Sequence, residues 1–118
     1  MKRLIGSVAG IAALVAATAA LAATNAATSA RLVSVTSPVR KNADATLVAH
    51  VVPRRLCRIT VHYKSGPSQA MGLNPKRPRH GRVSWTWMVG GNTTLGKWPI
   101  TVNCGSAGSF RTHFKVIR

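Results

Sequence analysis

The side chains that could carry acid–base or metal chemistry are few in this sequence. The chain has four histidines but a single acidic residue, Asp44. A glycosidase needs two carboxyl groups and a calcium site needs several, so neither is expected. The histidines, His50, His62, His80 and His113, lack the spacing of about two to five residues that is typical of a metal site. We therefore expect no metal, no cofactor and no enzymatic activity.

Basic side chains are the chemistry that this sequence does offer. Lysine and arginine together number 17, and the formal net charge is +16. A field of this sign attracts polyanions such as nucleic acid, anionic cell-wall polymers and acidic polysaccharide. We expect a binding or surface module that prefers such partners. The alternative is a purely structural envelope or spacer domain whose charge suits its surroundings.

The first 30 residues show the pattern of a secretory signal peptide. Met1-Lys2-Arg3 is a basic start, and no charge occurs from Leu4 to Ala23. Ala20-Leu21-Ala22 and Thr28-Ser29-Ala30 both place small residues where signal peptidase requires them. We expect a secreted protein with no membrane span after signal removal; an uncleaved N-terminal anchor is the alternative, because about 20 uncharged residues can span a bilayer. The remaining domain, residues 31–118, keeps 15 basic residues and a net charge of +14.

The two cysteines, Cys57 and Cys104, are expected to form a disulfide. An even number of cysteines in an exported chain is typical of such a bond. A domain this small has a marginal core, and closing the loop between the cysteines would stabilise it by about 4 kcal/mol.

Short runs of β-branched and aromatic residues, separated by proline, glycine and asparagine, predict a chain of strands. No helical periodicity follows residue 31, so an all-β sandwich is predicted, with a small β-barrel as the alternative. The predicted strands are Arg31–Thr36, Ala45–Val52, Cys57–Lys64, Arg82–Val89, Lys97–Cys104 and Ser109–Ile117, with a weaker strand at Gln69–Leu73.

Hydrophobic alternation sets the faces of these strands. If Cys57 lies opposite Cys104 in an antiparallel pair, all the remaining inward pairs between the strands Cys57–Lys64 and Lys97–Cys104 are apolar. A slip of one residue would destroy that match. A five-residue loop, Gly105–Ser109, then brings Phe110 opposite Cys104. The expected inward pairs are Ile59 with Val102, Val61 with Ile100, Tyr63 with Trp98, Thr112 with Val102, and Phe114 with Ile100.

The same register gathers basic residues on the outward face of the sheet. Antiparallel sheets commonly bury one face and expose the other, so these residues should meet solvent. The predicted anion-binding residues of this face are Arg58, His62, Arg111, His113 and Lys115, around Thr60, Thr101 and Asn103. A second candidate is the basic, proline-broken loop from Asn74 to Arg82, which contributes Lys76, Arg77, Arg79 and Arg82.

The sequence allows two further interpretations. His62 and His113 on one face could act as general acid and base beside Lys115, which makes a small secreted hydrolase the least favoured functional class. Trp85 and Trp87 share one side of their strand and could form a platform for sugar rings or bases. Because a small domain needs its aromatic side chains inside, we expect both to lie in the core.

Three features of the sequence carry a resemblance to a known fold family. They are a cysteine in the third strand, the strand Val83-Ser84-Trp85-Thr86-Trp87, and the run from Gly96 through Trp98 to Cys104. Together they resemble small immunoglobulin-like domains of exported bacterial proteins over residues 31–118. The resemblance implies an immunoglobulin-like two-sheet sandwich of about seven short antiparallel strands and an interaction role without catalytic residues. Antibody-type domains bridge their two sheets with the disulfide, whereas here the bond would lie within one sheet.

Overall fold

The fold is built from β-strands that follow the period-two alternation of the sequence. The structure is a computed structural model that describes residues 28–118. Most of the predicted signal peptide lies outside the described residues, so that assignment stays a prediction. The strands of the described part are β1 (Ser29–Val35), β2 (Val39–Arg40), β3 (Asp44–Val52), β4 (Arg58–Tyr63), β5 (Gly66–Pro67), β6 (Arg82–Met88), β7 (Gly96–Asn103) and β8 (Ser109–Ile117).

Two sheets pack against each other. The smaller sheet has the order β1-β3-β6 and the larger sheet the order β2-β8-β7-β4-β5. Among the described strands, only β2 and β8 pair in parallel. If the two-residue strands β2 and β5 are left out, the strand order of the smaller sheet corresponds to A-B-E in the lettering used for immunoglobulin sandwiches. The order of the larger sheet corresponds to G-F-C. The predicted all-β two-sheet sandwich is confirmed in preference to the barrel.

Alternate residues of β3 and β6 supply the core from the smaller sheet. Every second side chain in both strands is buried, and aromatic and β-branched residues suit such a half-buried pleated surface. Trp85 and Trp87 are 0% and 1% exposed, so their assignment to the core is confirmed. The ring of Trp87 meets Phe114 of the larger sheet edge to face, with centroids 5.7 Å apart. Trp98 is half-buried and packs against the same core.

The disulfide between Cys57 and Cys104 is present, and its Cα atoms are 4.1 Å apart. The register beyond it is the one predicted, with Ile59 opposite Val102 and Val61 opposite Ile100. Tyr63 reaches Trp98 at the far end of the pair, where the two rings stand at 78° with centroids 6.3 Å apart. The expectation that the bond lies within one sheet is confirmed.

The predicted register of β8 against β7 is wrong by two residues. Phe110 lies opposite Val102, and Phe114 lies opposite Trp98. The cause is a shorter connection: the Cys104 N–H donates to the Gly108 carbonyl oxygen at 2.9 Å, so only Gly105–Ala107, a 3₁₀ turn, form the loop. Gly105 and Gly108 both have positive φ, which glycine adopts without strain and which allows this tight turn. Because the shift is even, every side chain keeps its predicted face.

The weaker strand predicted at Gln69–Leu73 is not formed. Gly72 has a φ of 96°, and a Cβ at this position would collide with the carbonyl oxygen of Thr86. The segment therefore runs as a loop along the free edge of β6, close enough that only glycine fits. Further along the same edge, Lys76 Nζ donates to the Ser84 carbonyl oxygen at 2.8 Å.

The first strand begins at Ser29, two residues before the start that the sequence predicts. Ser29 pairs with Val52 and Ala30 with Val51. Ala30 is half-buried against the core. Both residues are thus part of the smaller sheet.

Replacement of both cysteines, Cys57→Ala with Cys104→Ala, is expected to lower the free energy of unfolding by about 4 kcal/mol, because the bond closes a 47-residue separation. Denaturant unfolding of the oxidised wild type and the double variant measures this difference. The reduced wild type serves as the control and should resemble the variant. A loss below about 1 kcal/mol, the size of an ordinary substitution, would contradict the expected role of the bond.

Candidate anion-binding face

The outward residues of the larger sheet form a basic surface. Inward neighbours such as Ile59, Ile100 and Phe114 are buried in the core, and strand geometry sends the alternate residues to solvent. We call this surface the basic face. Its charged and imidazole side chains are Arg58, His62, Lys97, Arg111, His113 and Lys115, of which all except the half-buried His62 are exposed.

Thr101 of β7 forms the neutral centre of the basic face. It pairs with Thr60 on β4 and with Arg111 on β8. Its Oγ1 lies 2.6 Å from Nε2 of His62, and this hydrogen bond holds the imidazole across the sheet. The cations thus surround a patch of short side chains. Such a shape suits a ligand that is held by charge rather than one that inserts a group into a pocket.

Lys97 and Lys115 form a like-charge pair directly across β7 and β8. The Lys115 N–H donates to Ser37 Oγ at 3.0 Å, on the side of β8 that faces away from β7. The two lysines are therefore a non-hydrogen-bonded pair, the type in which Cα atoms are about 4.5 Å apart and side chains lie closest. Like charges in this position destabilise a sheet, and an anion bound between them would remove that repulsion.

Lys97 is the site residue that the sequence-based reasoning missed. In the predicted register it would lie opposite Ile117, whereas the two-residue shift places it opposite Lys115. Alternation along β7 is the signal that assigns Lys97 to the outward face together with Thr101. The identity of its partner depends on the tight turn after Cys104, and no hydrophobic pattern specifies that turn.

No acidic side chain of residues 28–118 neutralises the basic face. Asp44 begins β3 in the smaller sheet, where it lies opposite Met88. At the edge of the larger sheet, Arg40 of β2 donates from Nη1 to the main-chain oxygen of Arg118 at 3.2 Å. The cations of the face therefore act together as a field that draws anions.

Two residues of the predicted loop site are anchored by hydrogen bonds. The backbone of Lys76 exchanges hydrogen bonds of 2.7 and 3.0 Å with Cys57. Its Nζ donates to the Ser84 carbonyl oxygen, so the side chain extends toward the smaller sheet. Pro78 is buried, and its carbonyl oxygen accepts a hydrogen bond from Arg54 Nε at 2.9 Å. Arg77 is exposed between these two anchored residues.

The end of the loop joins a second basic cluster. Arg79 and Arg82 flank a two-residue turn, and the central residues His80 and Gly81 have φ values of 54° and 79°. Positive φ at both positions is the geometry of a type I′ hairpin turn. Arg82 continues into β6 opposite His50, which in turn lies opposite Arg31. Five of the nine predicted anion-binding residues thus lie on the basic face. The other four lie along the loop and at its end, and they are Lys76, Arg77, Arg79 and Arg82.

The histidines of the basic face are not arranged as an acid–base pair in contact. His62 and His113 are on strands that flank β7, so their backbones are about 9–10 Å apart. His62 Nε2 is engaged by Thr101. Within residues 28–118, no three side chains of His, Cys, Asp or Glu converge as a metal site would require.

No protein-family model matches the chain, and no curated protein is significantly similar to it in sequence.

Proposed function

We propose that this protein is an exported, non-enzymatic immunoglobulin-like binding module that holds anionic polymers on its basic face. The observation that carries the proposal is the Lys97–Lys115 pair. An unneutralised like-charge pair costs stability in the free protein. That cost becomes an advantage if a phosphate or sulfate group binds between the two ammonium groups.

Charge supplies the recognition chemistry of this surface. Arg58, Arg111 and Lys115 are exposed, and each cation that neutralises a phosphate or sulfate releases a condensed counterion from the polymer. Among residues 28–118, the basic face has no exposed aromatic side chain on which a base or a sugar could stack. Contacts to phosphate groups carry little sequence information, so we expect low selectivity among cell-wall polymers, acidic polysaccharides and nucleic acids.

Export is supported by the disulfide, and the position of β1 distinguishes between the two candidate cleavage points. Disulfides persist in oxidising compartments outside the cytosol. In the part of the chain that the structure describes, no helix has the length and apolar character needed to cross a membrane. Cleavage after Ala30 would delete two paired residues of β1, Ser29 and Ala30. Cleavage after Ala22 leaves the strand whole, so we infer that the signal peptide ends at Ala22.

The mature protein is therefore expected to begin at Ala23. Intact mass and N-terminal sequencing of the protein recovered outside the cell test this directly. Ala22→Leu should block processing, because signal peptidase requires a small residue before the cut. The matched control Ala30→Leu, at the other sequence match, should leave the cleavage point unchanged. A mature N-terminus at Arg31, or intact Met1 on membrane-bound protein, would disprove the inference.

Removal of three cations from the basic face should weaken polyanion binding. With Arg58→Ala, Arg111→Ala and Lys115→Ala combined, we expect the slope of log affinity against log salt to fall by about 2 to 3, because each lost contact contributes about 0.7–0.9. Heparin, polyphosphate and single-stranded DNA, each titrated at several salt concentrations, provide the measurement.

The matched control removes the same charge from the loop, through Arg77→Ala, Arg79→Ala and Arg82→Ala. It should retain most of the affinity and the slope. Equal losses in both triple variants would mean that only net charge matters. If the wild type fails to bind any of the three polymers near 0.15 M salt, where the Debye length is about 8 Å, the structural spacer becomes the better description.

The two lysines should also reveal their repulsion in a double-mutant cycle. Lys97→Thr and Lys115→Thr, singly and together, are expected to show an unfavourable coupling of about 0.2–1 kcal/mol in the wild type at low salt. High salt should screen the coupling, and saturating polyphosphate should reverse its sign. Denaturant unfolding under each condition gives the values. A coupling of zero at low salt would show that the ammonium groups avoid each other, and the pair would then support no anion site.

A further inference from the structure

A cleft of about 680 Å³ opens at one end of the sandwich, away from the basic face. It lies where β3 begins and where β4 and β6 end, and the loop after β5 forms its outer wall. Its size is in the range of small-molecule sites, about 300–1,000 Å³. The residues that matter to its chemistry are Asp44, Tyr63, Gln69, Met71, Trp87 and Met88.

Two buried polar atoms at this cleft have no hydrogen-bond partner among residues 28–118. They are the Tyr63 hydroxyl oxygen and Trp87 Nε1. The other tryptophans differ, since Trp85 Nε1 donates to the Asn74 carbonyl oxygen and Trp98 Nε1 donates to the Thr94 carbonyl oxygen, both at 2.7 Å. Buried polar groups in native proteins are nearly always paired, so each orphan requires an explanation. Both atoms are fully buried, so a ligand satisfies them only if the loop after β5 moves aside and lets its acceptor atoms reach them.

Tyr63 is suited to donate a hydrogen bond from its hydroxyl group. Burial raises the pKa of its phenol, and the nearby Trp87 indole N–H offsets this only in part. The two groups are close enough to influence each other, yet they do not reach hydrogen-bonding geometry. Tyr63 therefore remains protonated at neutral pH and presents an O–H beside the N–H of Trp87.

The lining of the cleft carries a negative charge, whereas the chain as a whole is strongly positive. None of its described lining residues is a lysine or an arginine, although the chain has 17 of them, and its only charged side chain is Asp44. The lining of this cleft offers an anionic polymer no cation. Hydroxyl groups, in contrast, both donate and accept hydrogen bonds, so they can pair with the Asp44 carboxylate and with the two orphan donors at once.

The remaining walls suit the same kind of ligand. Hydroxyl and amide side chains are supplied by Gln69 and by serine and threonine residues. Met71 and Met88 are 91% and 55% exposed, and their flexible thioether chains can cover the C–H surface of a bound ring. A second cleft of about 410 Å³ shares Tyr63 with the first, and its lining adds Asn92 and one basic residue, Lys64. The combined space accommodates more than one ring.

We propose that this cleft binds a neutral, hydroxyl-rich ligand of about disaccharide size through Asp44, Tyr63 and Trp87. The site is independent of the basic face and lies at a different place in the fold. It would give the domain a recognition element that discriminates by hydrogen bonding, which the basic face does not provide.

The indole N–H signals of the three tryptophans report directly on the proposal. In a ¹H–¹⁵N correlation spectrum, cellobiose, maltose and N,N′-diacetylchitobiose are each titrated to millimolar concentration into the mature protein. We expect at least one of them to shift the Trp87 Nε1–H signal downfield as it gains an acceptor, while the already bonded Trp85 signal stays in place. Trp87→Phe and Trp85→Phe assign the two signals.

Asp44→Asn and Tyr63→Phe should each weaken the binding by about tenfold, the equivalent of one lost hydrogen bond. Both substitutions nearly preserve shape, and an unchanged Trp85 signal confirms the fold. Ser109→Ala, on the exposed surface of β8, is the control and should bind normally. Three results would overturn the proposal: no shift of the Trp87 signal with any of the three sugars, equal affinity of Asp44→Asn and Tyr63→Phe with wild type, or displacement of the sugar by heparin at the Trp87 signal.

Discussion

The pairing of Cys57 with Cys104 is the constraint on which the larger sheet depends. A covalent bond between two strands fixes the register, and the period of two then decides the direction of every side chain along them. Tyr63 reaches Trp98, and Arg58 faces solvent, because the cysteines face inward. The core and the basic face are therefore two results of a single register, and neither could change without the other.

How much the sequence predicts depends on which force fixes each feature. The long strands and the β4–β7 register follow from the alternation of apolar and polar residues and from the positions of the cysteines. Both can be identified directly in the sequence. The β7–β8 register depends on the backbone torsions of Gly105 and Gly108. Several loop lengths would satisfy the same hydrophobic pattern, so the pattern alone does not predict this register. The face of Arg111 was predictable since even shifts preserve it, but the pairing of Lys97 with Lys115 was not.

The cleft shows a second limit of sequence reasoning. Trp85 and Trp87 occupy equivalent positions in the same alternating strand, and both are buried as expected. Only the surrounding loops distinguish them, because the Asn74 carbonyl oxygen accepts a hydrogen bond from Trp85 Nε1, whereas Trp87 Nε1 makes no hydrogen bond within residues 28–118. Patterns of hydrophobicity predict where a ring is placed. They do not predict whether its N–H finds an acceptor.

The loop along β6 has a consequence for the behaviour of the chain at high concentration. A free strand edge is a template for edge-to-edge aggregation between copies. Here the outward carbonyl groups of Ser84 and Thr86 are covered, the first by the Lys76 ammonium and the second by the close passage of Gly72. A side chain at position 72 would push the loop away and uncover the edge. Gly72 thus protects the protein against self-association through a strand of which it is not a part.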